Sequence, residues 1–538
     1  MKKKFLILPL LILFILFLSG CGEIKITDYT FLTDSNGSEI VYDTGNNSVY
    51  YEIFVGAYSD SDGDGIGDIN GLINRLDYLN DGDPSSGKSL GVDGIWLMPI
   101  MKAGSYHKYD VIDYMSVDSS YGTNEDMINL VNECNDRNMH VIIDLVLNHT
   151  STLNAWFKTA SKAISEGDYS NKYISYYSIV TEDQEETGKT YYALSNGYYY
   201  EANFDRSMPE LNLDNEDVKA EISEIIRYWM EDVGVYGFRL DAVKYFYLGD
   251  DAKNIEFLKW VDSECQKYSD DYYLVGEDWS NDGEIASYYE AISCFDFGMS
   301  GSDGAITSCA KQYESVNSYV SYLSQYRNSV EIVNPDAILT PFISNHDMNR
   351  AAGYLSIKEG EMQMAANLYI LTYGTPFIYY GEEIGMKGSR GTENTDANRR
   401  LAMLWGDNDT VEDPVGATYD SSLQTNGTVK EQKKDKTSLY NYYKKLLIIR
   451  KCNPEIALGE YTALNFANYT TFGGFLSTYE GRTVGVFHNT SYSTTLTIDL
   501  SKGTDFNFTF IAAVIGSGDA TLSGSILTIA PHTSVILR

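Results

Sequence analysis

Arg239 and Asp241 sit two residues apart near the end of an apolar run, Val235-Tyr236-Gly237-Phe238-Arg239-Leu240-Asp241. Residues two apart on a strand point to the same face. A guanidinium there would keep the carboxylate ionised, which suits a nucleophile or an electrostatic stabiliser. The same pair could also be a buried ion pair that only ties two strands together. Three other apolar runs end in similar groups: Asp144-Leu145-Val146-Leu147-Asn148-His149, Gly276-Glu277-Asp278-Trp279 and Phe342-Ile343-Ser344-Asn345-His346-Asp347. Each alone reads as a turn former. Four strand ends that each carry an acid or a His are hard to explain as turns.

These groups need elements that bring them to one place. Strand-like runs at Val49–Val55, Gly94–Met98, His140–Leu147, Gly237–Asp241, Tyr273–Gly276, Cys294–Phe297, Leu339–Ile343 and Phe377–Tyr380 alternate with helical patterns. One helix is expected over Asn124–Asn138 behind a Thr123/Asp126 capping box. Another, carrying Val218, Ile222, Ile225, Ile226, Trp229 and Val233, runs into Gly234 as a stop. Eight strands alternating with helices predict an α/β fold of the (β/α)8 TIM-barrel type, with the polar strand ends at its C-terminal mouth. The catalytic barrel is expected over residues 49–455. Its interval 149–212 is too long for an ordinary loop and reads as an inserted subdomain after strand 3. From residue 456 onward short alternating runs such as Thr483–Val486, Thr494–Leu500, Phe506–Val514 and Ser534–Leu537 predict a C-terminal antiparallel β-sandwich.

Taken together, the four motifs resemble the alpha-amylase family, glycoside hydrolase family 13, over roughly residues 49–538. The resemblance implies Asp241 as nucleophile, Glu277 as general acid/base and Asp347 as a third carboxylate that holds sugar hydroxyls and favours the distorted ring. It implies that Arg239 orients Asp241, and that His149 and His346 touch the sugar being cleaved. Retaining glycoside hydrolysis uses one ionised and one protonated carboxyl about 5 Å apart. Arg239 should lower the Asp241 pKa, and crowding by carboxylates should raise that of Glu277. Tyr106-His107-Lys108-Tyr109-Asp110 follows the second strand; by resemblance Tyr109 stacks on the sugar and His107 hydrogen-bonds it. Otherwise it is an aromatic turn on the barrel rim.

The loop Asp60-Ser61-Asp62-Gly63-Asp64-Gly65-Ile66-Gly67-Asp68 crowds carboxylates that need a cation, and hard oxygen ligands around Gly turns suit structural Ca²⁺. It starts like an EF-hand, but the twelfth position is Gly71, and it follows a strand. It resembles the metal loop after the first strand in some family members, with Asp60, Asp62, Asp64, Asp68 and the Ile66 carbonyl as ligands. A second Ca²⁺ position near Asn148 is doubtful, because Asn212 and Tyr245 stand where Ca²⁺-binding amylases commonly have Asp and His.

The N-terminus has a different character. Lys2, Lys3 and Lys4 precede the apolar run Phe5–Leu18 and then Leu18-Ser19-Gly20-Cys21, the layout of an export signal over residues 1–20. The small residues before Cys21 resemble a bacterial lipobox, which implies cleavage before Cys21, a lipid on its thiol and a chain held on the outer face of the cell membrane. Residues 21–48 read as a tether. The other cysteines (Cys134, Cys265, Cys294, Cys309 and Cys452) are odd in number and lack a CxxC, so buried thiols are expected rather than a disulfide framework. A formal net charge of -36 makes nucleic acid and anionic lipid poor partners and leaves membrane contact to the anchor. A neutral ligand fits better, and the 45 Tyr suit sugar faces without proving it.

Within the resembled family, Lys244 is typical of enzymes acting on α-1,4-linked glucans. The expected activity is endo-hydrolysis of starch and maltooligosaccharides. Met208-Pro209-Glu210-Leu211-Asn212 leans toward the neopullulanase and cyclomaltodextrinase branch, so that branch and a transglycosylating relative remain open. A surface glucan-binding lipoprotein without catalysis is the reading from another class, and the intact acids weigh against it.

Overall fold

A computed structural model describes residues 48–84 and 86–538. The signal segment 1–20, Cys21 and the tether up to residue 47 lie outside the described residues.

Strands Tyr50–Ile53, Gly94–Leu97, His140–Leu145, Gly237–Leu240, Tyr273–Gly276 and Ser293–Cys294 pair in parallel and in chain order, and Phe377–Tyr379 returns to pair with Tyr50–Ile53. The expected strand Leu339–Ile343 is reduced to two parallel bridges, Phe295 with Thr340 and Phe342 with Phe377. Pro341 at its centre has no N–H to donate, which limits a ladder there. Those bridges close the (β/α)8 barrel. Its interior is filled, not hollow: the Tyr50 ring lies 5.5 Å from Tyr273 and 5.2 Å from Phe377, and Trp96 lies 5.3 Å from Phe295.

Local sequence fixes the strand that carries Arg239. Asn215 caps helix Glu216–Arg227, which buries Val218, Ile222, Ile225 and Ile226. A π turn over Tyr228–Val233 follows, with Gly234 at φ +86° ending it. The Trp229 indole donates to the Tyr114 carbonyl at 2.8 Å and anchors that turn. Gly237 then starts the strand where a Cβ would meet the Tyr273 carbonyl oxygen at 1.9 Å, so only glycine lets the two strands approach. The helix expected over Asn124–Asn138 runs Asn124–Asn135, with the Thr123/Asp126 capping box formed.

Between the third and fourth barrel strands lie helix Ala155–Glu166 and a small antiparallel sheet of Ile179–Thr181, Tyr198–Glu201 and Tyr191–Ala193. The C-terminal segment forms a five-stranded and a three-stranded antiparallel sheet. Phe466, Phe472, Phe487, Leu527 and Ile529 are buried between them. Cys134, Cys265, Cys294 and Cys309 are buried and Cys452 is half-buried.

Candidate active site

Arg239 is fully buried at the barrel mouth, and its charge organises the groups around it. Its Nη1 donates to Asp144 at 2.7 and 2.9 Å and to Asp241 Oδ1 at 2.8 Å. Its Nη2 lies 2.9 Å from Glu277 Oε2. The acids on the fourth and fifth strand ends therefore share one rigid planar cation, a few ångströms apart. Ala242, just after Asp241, takes φ +49°, costly for a residue with a Cβ. That turn aims the Ala242 N–H at Glu277 Oε2, 3.1 Å away.

Burial pushes the Glu277 carboxyl up to about 7, with Arg239 opposing the rise and Asp241 and Asp347 adding to it. Burial pushes Asp144 up to about 7 as well, against the pull of Arg239.

A second chain of contacts holds Asp347. Its Oδ2 lies 2.8 Å from His346 Nε2, and its Oδ1 accepts from Arg400 at 2.7 Å. Burial works against its charge, but the His346 and Arg400 cations hold the carboxyl well below the usual carboxylate range. His346 Nδ1 lies 2.5 Å from Glu52, and its Nε2 also meets the Tyr109 hydroxyl at 2.6 Å. Although burial disfavours the imidazolium, Asp347 and Glu52 raise the His346 pKa to about 9. The Tyr109 hydroxyl in turn donates to Asp144 at 3.1 Å, which links the two clusters.

The structure thus brings Arg239, Asp241, Glu277, His346, Asp347 and Tyr109 together. His107 accepts from the Tyr109 N–H at 3.2 Å through a ring whose pKa burial lowers to about 4. His149 is buried, and its Nε2 has no hydrogen-bond partner among the described residues. Beside it lie the exposed Phe204 ring at 5.4 Å and, beyond that, Tyr245. Lys244 is turned to the loop after the fifth strand, donating to the Trp279 carbonyl at 2.5 Å and Ser280 Oγ at 3.2 Å. Glu52, Arg400 and Phe204 were not singled out from sequence, and Asp144 was quoted in its strand-end motif without a role. An acid inside the apolar runs Tyr50-Tyr51-Glu52-Ile53 and Val141-Ile142-Ile143-Asp144 was a usable signal; nothing in the sequence marked Arg400 or Phe204.

In the first loop, ligand atoms of Asp60, Asp62 and Asp68 lie within 4.8 Å of one another, a hard-oxygen set that suits Ca²⁺. Asp64, expected as a fourth ligand, is not in that cluster. The left-handed turns at Gly63 and Gly65 direct it away, and its Oδ1 accepts the Ile66 N–H at 2.8 Å. Near Asn148, the amide donates to the buried Glu210, and Asn212 is turned to the Ser175 carbonyl at 3.1 Å. No second cluster of three metal-binding side chains exists among the described residues.

A closed parallel barrel with three acids on one guanidinium at its C-terminal mouth, and a fourth acid beside them, is the architecture of a barrel glycosidase. Comparison with known proteins narrows the class. The family description "Alpha amylase, catalytic domain" matches residues 52–459. The chain is 39% identical to Alpha-amylase 3 of Dictyoglomus thermophilum, over 79% of this chain and 80% of that protein. It is 28% identical to an oligo-1,6-glucosidase of Bacillus sp. (strain F5), over 78% of this chain and 94% of that one. The solved structure of Eubacterium rectale Amy13B superposes with a TM-score of 0.83 at 35% identity, covering 92% of this chain and 96% of the other. The chain belongs to the alpha-amylase family, glycoside hydrolase family 13.

Proposed function

We propose that this enzyme cleaves internal α-1,4-glucosidic bonds of starch and maltooligosaccharides with retention of configuration. The observation that carries the reading is the Arg239 fork, which bonds Asp241 on one nitrogen and pairs with Glu277 on the other. Arg239 holds Asp241 Oδ1, so Oδ2 attacks the anomeric carbon. Both contacts to Glu277 fall on Oε2. The transferable proton then sits on Oε1 and passes to the departing glycosidic oxygen as that bond breaks. In the second half the ionised Glu277 takes a proton from water, whose oxygen displaces Asp241 from the sugar. Asp347, kept charged by His346 and Arg400, accepts hydrogen bonds from ring hydroxyls. His149 Nδ1 faces the Asn148 amide, so the ring's N–H is on Nε2 and donates to one more hydroxyl. Tyr109 and His107 line the cleaved unit, and Lys244 steadies the strand-five loop on the side of the leaving glucan.

Lys244 favours α-1,4 linkages, and the 39% identity to an alpha-amylase supports this over the α-1,6 activity named for the more distant relative. A product time course on starch, pullulan and cyclodextrin tests it. Early mixed-length products from starch support the endo reading; preference for pullulan or cyclodextrin sinks it in favour of the neopullulanase type. Equal, near-zero release of reducing ends by wild type and Asp241→Asn would instead leave a glucan-binding protein. Transglycosylation would show as products longer than the substrate at high maltooligosaccharide concentration.

Two attributes belong to the same proposal. Ca²⁺ at Asp60, Asp62 and Asp68 would be structural, stabilising the loop after the first strand by neutralising its carboxylates. Cleavage before Cys21 and lipidation of its thiol would display the enzyme on the outer face of the bacterial membrane; the basic and apolar run ahead of Cys21 supports this. Among the described residues no helix is long and apolar enough to cross a membrane. Release of activity from cells by Cys21→Ala is the expected result, and retention would contradict the anchor.

A further inference from the structure

Glu52 is a carboxylate inside an otherwise apolar strand, and the steps of the reaction leave it without a task. It follows Tyr50 by two residues on the strand Tyr50–Ile53, so its side chain points to the same interior face of the barrel, nearer the mouth. It is 1% exposed. A carboxylate buried that deeply is costly unless a charged partner meets it. Its Oε1 meets the His346 ring at Nδ1, 2.5 Å away, and accepts the His346 backbone N–H at 3.4 Å.

The surroundings of His346 call for a proton on each ring nitrogen. Nδ1 faces the Glu52 carboxylate. Nε2 faces Asp347 Oδ2 at 2.8 Å and the Tyr109 oxygen at 2.6 Å. The single Tyr109 proton goes to Asp144 Oδ2, so the Tyr109 oxygen accepts from Nε2. A ring with one proton would turn a lone pair toward a carboxylate on one side or the other. An imidazolium satisfies both. The charged and titratable groups facing it are Glu52 from the first strand, Tyr109 from the loop after the second, Asp144 and Glu277 at the ends of the third and fifth, Asp347 next in the chain, and Arg400 from beyond the eighth. Arg400 Nε donates to the His346 carbonyl at 3.3 Å. Glu52, His346, Asp347 and Arg400 thus form a row of alternating sign. Asp347 sits between two cations, and Glu52 balances the imidazolium from behind. The ring can then hold Asp347 without setting an unmatched charge against the positive charge that develops on the sugar.

We propose that Glu52 is a positioning residue for catalysis: its carboxylate keeps His346 doubly protonated, and the ring in turn holds Asp347 through a charged hydrogen bond. Glu52 touches no substrate and acts through His346. The benefit to catalysis rests on the reading of Asp347 as the group that holds the sugar; the state of the ring does not.

Two measurements test it. The first is nitrogen NMR of the untagged chain labelled at histidine. Burial lowers the pKa of His107, His140, His149, His488 and His532, whereas that of His346 stands at about 9, so at about pH 8 one of the 6 His should carry protons on both nitrogens. Glu52→Gln keeps the shape and the accepting oxygen but removes the charge, and that ring should then hold its second proton about tenfold or more less tightly. A wild-type chain in which no ring holds two protons at that pH overturns the proposal, as does a titration that Glu52→Gln leaves unmoved. The second measurement is calorimetric binding of maltopentaose to the chain carrying Glu277→Gln, which removes the titrating acid from the cleft. Adding Glu52→Gln should weaken binding more as pH rises from about 5.5 to about 8, the ratio of the two dissociation constants growing about tenfold as Asp347 loses its charged partner. A ratio that stays level would mean that Glu52 only packs the strand, and the proposal would fall. Failure of the catalytic reading would show separately, as no hydrolysis of starch by the wild-type chain.

Discussion

At the residue scale, the barrel mouth has a charge shortage that decides who carries the proton. One guanidinium, Arg239, faces Asp144, Asp241 and Glu277 together and cannot neutralise all of them. A proton must stay in the set, and burial places Glu277, pushed up to about 7, among its holders. Deprotonation of Glu277 should remove the acid, so kcat/KM should fall as pH rises through about 7. A pH profile checks this, and activity that climbs steadily past that value would contradict it. Glu277→Gln should cost about 10²–10⁴-fold in kcat by losing proton transfer. Asp347 is the opposite case: its carboxyl is held low by His346 and Arg400 against burial. Arg400→Met should let that pKa rise toward the ordinary range, so activity should be lost at a higher pH on the acid side than in wild type. An acid limb that does not move would mean that Arg400 only packs.

At the element scale, loops and strand ends position these groups, and the sequence showed them unevenly. The four polar strand ends were legible because acids and His in apolar runs break the pattern of a buried strand. Glu52 broke that pattern too without being named, and Asp144 was quoted in its strand-end motif without a role, since one carboxylate in a strand gives no sign of its partner. Arg400 was not legible: it comes from an irregular stretch beyond the eighth strand, and only the fold carries it to Asp347. The strand over Leu339–Ile343 shrank to bridges because of Pro341, a residue visible in the sequence whose consequence depends on its neighbours. In the first loop the spacing of Asp residues suggested the set, but the left-handed glycines decided which carboxylates meet. Ca²⁺ should raise the thermal midpoint in proportion to its binding free energy, and EDTA should lower it. Asp62→Asn should abolish that Ca²⁺ dependence while Asp64→Asn largely preserves it, as read by differential scanning fluorimetry. Equal effects of the two substitutions would contradict the three-carboxylate cluster.

At the scale of the whole molecule, barrel and sandwich share one apolar seam, in which Phe475, Val484, Val486, Ile515 and Ile536 pack into the barrel's core, and polar side chains clasp its edges. The Asn317 amide donates to the carbonyls of Phe466, Tyr469 and Phe472 at 3.1, 2.8 and 3.3 Å, and accepts the Phe466 N–H at 2.9 Å. At the other end Arg538 pairs with Glu455 at 2.8 Å and reaches Asn453 at 2.9 Å. Asn317→Ala leaves those main-chain groups without partners, so urea unfolding should show a loss of about 2–4 kcal/mol. Periodicity and turn residues told that a sandwich follows the barrel; they did not tell how the two join.

The account stands or falls on Asp241 attacking the sugar while Glu277 supplies the proton. Following the anomeric proton signals by NMR during the first minutes of maltooligosaccharide hydrolysis tests this most directly. A double displacement on Asp241 releases the new reducing end as the α-anomer, which then drifts to equilibrium. First release of the β-anomer would mean that water attacks the anomeric carbon directly, and the assignment of Asp241 as nucleophile would be wrong.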